Sequence, residues 1–241
     1  MKFANDRRGW LHWLFEAKKR HGLSILNYMV ISNHVHLLVF DGRGHKVIPN
    51  SIQLVPGRTG QQYNQRKSRK GAFWEGRYHA TAVEHGAHLM RCLVYIDLNM
   101  VRVGVVNHPS EWSFSGYNEI QEPRSRYALI DYEKLQNLLG ISSYEQLKQS
   151  RSWVEESLAS RANGRQHQWT ESIAVGGKRF VEELKTRIGV NARGRLPRKG
   201  DGAYELREPQ SSYRLSFDPK NDALRPENTY FWGGYSDKAV G

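Results

Sequence analysis

Cysteine is almost missing from this chain. Cys92 is the single one in 241 residues, so no intrachain disulfide can form and the fold must hold by packing and hydrogen bonds, as suits a reducing compartment. Long apolar runs are missing as well, and none approaches the ~18 residues that a membrane span needs. The amino terminus, Met1-Lys-Phe-Ala-Asn-Asp-Arg-Arg8, lacks the apolar centre of a secretion signal. Together these absences lead us to expect a cytoplasmic protein with no membrane partner. Acidic side chains are scarce beside basic ones, 24 against 36, which leaves a net charge of +12 and a pI of about 9.8. A surplus of that size favours a polyanion, because each neutralised phosphate releases condensed counterions. A merely soluble basic protein would show the same balance.

Against that background the pair His34 and His36 stands out, inside Tyr28-Met-Val-Ile-Ser-Asn-His-Val-His-Leu-Leu-Val-Phe40. Residues two apart on a strand share a face, so both imidazoles can converge on one cation. Ser32-Asn33 reads as a tight turn between two strands, Ile25 to Ile31 and His34 to Phe40. A core histidine satisfied by protein partners is the plainer reading of either ring alone.

Around this hairpin, apolar spacing predicts a helix over residues 9–21, closed by Gly22. A second helix is expected from about Ser51 to Arg66, with Pro56-Gly57 breaking or delaying it. The stretch Gln65-Arg-Lys-Ser-Arg-Lys-Gly-Ala-Phe-Trp-Glu-Gly-Arg-Tyr78 interleaves cations with rings, a pattern that suits nucleic acid. Its Arg66, Lys67, Arg69, Lys70 and Arg77 are candidate phosphate contacts. Trp74 is placed either to stack on a base or to pack into the core. Tyr78 to Glu84 reads as a further strand.

A helix from about His85 to Val103 carries two stripes. Leu89, Leu93, Ile96, Met100 and Val103 must face the core. His88, Arg91, Tyr95, Asn99 and Arg102 form a polar stripe about 120° away at ~100° per residue. Such a stripe is usually a solvated face, but this one sets a phenol and an amide one turn apart between arginines. Beyond it, Trp112, Phe114 and Tyr117 can close the core, and Gln121 to Arg126 reads as a linker. Helices are expected around 131–139, 143–158 and 177–188. A basic run follows (Arg193, Arg195, Arg198, Lys199), then a loosely ordered tail over 200–241.

Three of these blocks, in this order, resemble the HUH superfamily of single-tyrosine transposases, and within it the branch associated with REP elements. Ser32-Asn-His-Val-His-Leu-Leu-Val39 is similar to the family's two-histidine motif. Phe73-Trp-Glu-Gly-Arg-Tyr78 matches an intervening block, and Tyr95-Ile-Asp-Leu-Asn-Met-Val-Arg-Val-Gly104 resembles the catalytic-helix signature. The likeness covers roughly residues 8–120. It implies an α+β, ferredoxin-like HUH nuclease domain over 1–120, an antiparallel sheet with helices on one face. A small helical region over 127–190 and a basic run with tail over 191–241 complete the expected organisation.

The resemblance further implies that His34, His36 and Asn99 hold Mg²⁺ or Mn²⁺ and that Tyr95 is the nucleophile. Arg91 and Arg102 join the candidate DNA contacts. The implied activity is cleavage and rejoining of single-stranded or hairpin DNA at palindromic repeats through a 5′-phosphotyrosine, near the nucleoid, by a monomer or homodimer. Family members carry a strand before the first helix, which this chain lacks. A start assigned too late, a substitute strand from the carboxy-terminal region and a decayed copy are the competing accounts. Asp97 stands where histidine is common and Met100 where proline is usual. The alternatives are a truncated relative that binds hairpins without cleaving them, a phosphodiesterase using water and metal, and an RNA-binding module.

Overall fold

The computed structural model describes residues 3–207 apart from 43, 45, 77, 144–146, 148–149, 161–163 and 165. Helix α1 (Ala4–His21) starts earlier than its apolar spacing predicts. Its first turn is capped from within: the Asp6 carboxylate accepts the Phe3 N–H at 3.3 Å. Gly22, at φ 70°, ends it as expected, and its N–H donates to Lys18 O.

Strands β1 (Ser24–Val30) and β2 (Val35–Phe40) form the expected antiparallel hairpin, with a bulge between Ile25 and Asn27. β1 is buried along its whole length, while β2 is only half-buried. Helix α2 (Val47–Arg66) packs along α1 and runs through Pro56 without a break, contrary to the sequence expectation. Val55 and Leu54 anchor it in the same core as Trp10 and Leu14. That packing outweighs the one hydrogen bond a proline removes.

The second edge of β1 is covered by later chain. Val30 N–H donates to Phe114 O (2.9 Å), Gly116 N–H to Tyr28 O (2.8 Å) and Asp131 N–H to Ile25 O (2.8 Å). Gly116 is obligatory here, because a Cβ would lie 2.3 Å from Asn27 Oδ1. Glu119, itself buried, accepts the N–H groups of Leu129 (2.6 Å) and Ile130 (2.7 Å), and Lys18 Nζ donates to the carbonyls of Ala128 and Leu129. Leu129, Ile130, Leu135 and Leu147 thereby share one buried cluster with α1 and β1. Among the described residues no strand pairs with the outer edge of β2.

The expected strand over Tyr78–Glu84 shrinks to β3 (Ala82–Val83), which leaves the hairpin alone and pairs in parallel with β4 (Ala174–Gly176). Helix α3 (Ala87–Asp97) is followed, after a one-residue interruption at Leu98, by α4 (Asn99–Arg102). Short helices α5 (Tyr117–Gln121), α6 (Tyr132–Leu139), α7 (Ser150–Ala159) and α8 (Gln168–Glu171) come next. Then α9 (Lys178–Ile188) leads to a second hairpin, β5 (Leu196–Lys199) and β6 (Tyr204–Arg207).

This last part corrects the sequence reading of a purely helical region with a loose tail. Strands β3-β4-β6-β5 make a four-stranded sheet, and fully buried Leu206 packs with Ala174, Val181 and Leu184 under α9. The tail beyond 207 lies outside the described residues. The carboxy-terminal strands extend β3, so they do not replace a strand beside β2. The fold is α+β, in keeping with a ferredoxin-like transposase domain. None of the described helices is long and apolar enough to cross a membrane.

Candidate active site

Four elements meet at one face of β2. His36 lies on β2 and His34 just before it, exposed, with ring centroids 4.9 Å apart and Nδ1 of His34 3.0 Å from Asn33 Oδ1. Tyr95, in the penultimate turn-half of α3, brings its ring centroid within 6.0 Å of that of His36. Asn99 opens α4, and its Nδ2 stands 2.9 Å from His36 Nε2. The break at Leu98 leaves the one-turn offset between Tyr95 and Asn99 intact, because Leu98 N–H still donates to Val94 O and Arg102 N–H to Leu98 O.

The electrostatics of the cluster follow from its burial. Burial first, then the neighbouring His34 and Arg102, push His36 down to about 4. The imidazole is therefore neutral near pH 7, the form that donates a lone pair to a metal. Asn99 Oδ1 is buried with no protein hydrogen-bond partner, and such an oxygen is costly to leave so. Oxygen and nitrogen of an amide can exchange places by a flip, so either orientation sets one polar atom against His36 and one free for another ligand. Two imidazoles and an amide oxygen suit a divalent cation that keeps open positions. The described residues contain no group of three or more His, Cys, Asp or Glu able to hold a metal; beside the two histidines stands the Asn99 amide.

Arg102 closes the cluster. Its guanidinium carbon lies 4.1 Å from the centroid of the Tyr95 ring, and Nη2 donates to Tyr95 O at 2.7 Å. Burial lowers the Arg102 pKa, while the Tyr95 phenol and its side-chain hydrogen bond pull the other way. The guanidinium packs on the face of the Tyr95 ring and is tied to the same helix.

Below the site, Asn27 Nδ2 donates to Asp97 Oδ1 at 2.9 Å, joining the β1 bulge to α3. Burial pushes Asp97 up to about 7, partly offset by that amide. The substitution of an acid at this position thus serves the hairpin–helix junction.

The other sequence candidates fall elsewhere. Arg66 pairs with buried Asp6, Lys67 Nζ lies over the Phe3 ring, and Arg69 donates to Ala72 O. Lys70 is exposed, and Arg77 lies outside the described residues. Trp74 packs: its indole N–H donates to Pro56 O at 3.0 Å and its ring meets Phe73 edge-on. Arg91 Nη1 donates to Gly202 O at 2.9 Å. Of the core stripe, Val103 is the exception at 61% exposed, whereas Leu89, Leu93, Ile96 and Met100 are buried.

Sequence reasoning missed the far wall of the site. Trp169 from α8 sits with its ring centroid 6.2 Å from that of Tyr95. A cavity of about 530 Å³ runs from Tyr95 and Arg102 between α3, α7 and the β5–β6 turn. The signal for that turn was present as Gly200-Asp-Gly202 between two short runs, a hairpin spacing.

Residues 5–99 match the family model described as "Transposase IS200 like". This segment is similar to the IS200-like transposases. Its match runs from α1 to Asn99 and so includes both histidines, Tyr95 and the buried amide. No curated protein and no solved structure matches the chain.

Proposed function

We propose that this IS200-like segment is a single-tyrosine DNA strand transferase of the REP-associated kind, cutting and rejoining single-stranded DNA at hairpin-forming palindromes. One observation supports this above the rest: Tyr95, Arg102 and the orphaned Asn99 amide close on His36, with His34 beside it, in a single cluster.

His34, His36 and Asn99 would hold Mg²⁺ or Mn²⁺, which when bound polarises the scissile phosphate and offsets charge developing on it. Arg102 holds the Tyr95 side chain in place through its ring and its carbonyl. The Tyr95 phenolic oxygen attacks phosphorus, a P–O bond to Tyr95 forms, and the bond from phosphorus to the 3′ oxygen breaks. The leaving oxygen takes a proton and departs as a 3′-hydroxyl, with the 5′-phosphate kept on Tyr95. A second 3′-hydroxyl reverses the step and frees the phenol. The ester bond is conserved throughout, so joining requires no nucleotide hydrolysis.

The test incubates the full chain with single-stranded palindromic DNA and Mn²⁺, then looks for a protein–DNA adduct that survives denaturation. An adduct is expected, and it should vanish in Tyr95→Phe and with a chelator. Hairpin binding without an adduct favours the non-cleaving relative. Cleavage that leaves no adduct and survives Tyr95→Phe assigns the attack to water. An adduct that persists in Tyr95→Phe moves the nucleophile to another tyrosine, first to the exposed Tyr78.

A further inference from the structure

The family match ends at Asn99, yet more than half of the residues lining the cavity beside Tyr95 lie beyond 150. We infer that this cavity is a nucleobase subsite: the carboxy-terminal lobe receives one unpaired base next to the scissile phosphate and reads its edge. The inference rests on the strand-transfer reading above and adds the element that chooses where the cut falls.

Position comes first. Tyr95 and Arg102 line one end of the cavity, so a phosphate at the phenol has a flanking nucleoside at the cavity mouth. A volume of about 530 Å³ lies within the range of clefts that take small ligands, which suits a nucleoside and excludes a folded hairpin. The lining then gives the chemistry. Trp153 offers an indole face and Arg91 a guanidinium plane, the surfaces on which unstacked bases settle. Gln168, Asp201 and Glu156 supply amide and carboxylate groups along the same walls. Carboxylates accept hydrogen bonds only, so they favour a base with an exocyclic amine (cytosine N4 is the standard partner) over thymine.

The lobe is fastened where it must be to read at fixed distance from the nucleophile. Arg91 on α3 donates to Gly202 O in the β5–β6 turn, and Gly202, at φ +70°, takes a left-handed conformation that favours glycine. This contact sets Asp201, the preceding residue, at the cavity wall. On the other side Trp169 lies against the Tyr95 ring, its indole N–H held by Gln166 Oε1 at 2.6 Å. Turn and ring together tie the reading wall to the catalytic helix.

The experiment measures fluorescence anisotropy of labelled dC8, dA8 and dT8 with the full chain, as wild type, Trp153→Ala and Asp201→Asn, alongside a melting curve of each. The wild type is expected to bind dC8 or dA8 about tenfold tighter than dT8. Trp153→Ala should weaken all three by about tenfold. Asp201→Asn should erase most of the discrimination against dT8, since an amide also donates. Binding is read here without any cleavage, which separates this test from the adduct assay. Equal binding of the three oligonucleotides by the wild type overturns the inference. So does an unchanged preference in Asp201→Asn with a normal melting curve, even where the adduct assay succeeds. A preference that follows Asp201 supports the subsite even if no adduct ever forms.

Discussion

The two walls of the active-site cleft were written into the sequence in different ways. The wall carrying His34, His36, Tyr95 and Asn99 uses residues whose chemistry announces itself at short spacing, on one strand and one helix. The opposite wall, from α7, α8 and the β5–β6 turn, is assembled from tryptophan, glutamine and aspartate scattered over residues 153–207. The first kind of wall gathers side chains of distinctive chemistry within a short stretch of chain. The second depends on where the chain is placed, and many residues would serve. Chemistry on one side and placement on the other should therefore fail separately when each is disturbed.

The largest effect is expected on the chemical wall. Asn99→Ala removes a buried amide beside His36 whose Oδ1 has no protein partner. Losing an outer partner of a metal ligand already costs 10–100-fold in affinity or activity, so losing a ligand should lower adduct formation by about a hundredfold or more at fixed Mn²⁺. Raising the Mn²⁺ concentration should recover part of it. The melting midpoint should hardly move, and the carboxy-terminal lobe should stay docked. Full activity at low Mn²⁺ would remove Asn99 from the ligand set.

What could be read beforehand follows the same division. Both strands of the first hairpin, the Gly22 stop and the buried stripe of α3 came from local periodicity, which acts within a few residues and needs no knowledge of the rest. Three features escaped because they depend on distant partners. Pro56 stays helical because α1 and the core hold α2 in place. Residues 78–84 pair for only two positions, since their partner β4 is itself three residues long and comes some ninety residues later. Residues 204–207 carry no strong pattern in four positions, yet β6 is the inner strand that joins β4 to β5. In the site, the histidines and tyrosine were legible as chemistry. Arg66, Lys67 and Arg69 were legible only as charge, and the structure spends them on Asp6, Phe3 and Ala72. Charge in a sequence does not say which surface it will face.

A smaller effect, confined to the placing wall, is expected from Leu206→Ala. Leu206 is fully buried in a satellite core with Ala174, Val181, Leu184 and Ala192, separate from the cluster around Trp10 and β1. Truncating a buried leucine to alanine costs about 2–5 kcal/mol, a large share of what so few residues can supply. Hydrogen exchange should then speed up in β4, β5 and β6 while β1 and α1 keep their protection. Equal acceleration across β1 and β6 would mean that the two walls unfold as one unit.

The smallest signal tests whether the walls part at all in the native protein. Cys92 lies under the site, in a cluster shared by Met29 and Ile31 of the hairpin and by Trp169, Val175 and Ala203 of the lobe. Burial, aided by the Asp97 carboxylate, pushes its thiol up to about 12. Thiolate is the reactive form, so a thiol reagent at pH 8 should leave the folded wild type almost unlabelled for as long as the lobe stays seated. In Leu206→Ala the labelling rate should rise several-fold while the hairpin amides remain protected, because the lobe covers one side of that cluster. Rapid stoichiometric labelling of the wild type would show that the seated lobe is a minor state. The wall that places the base would then have to close on DNA for each round of cutting.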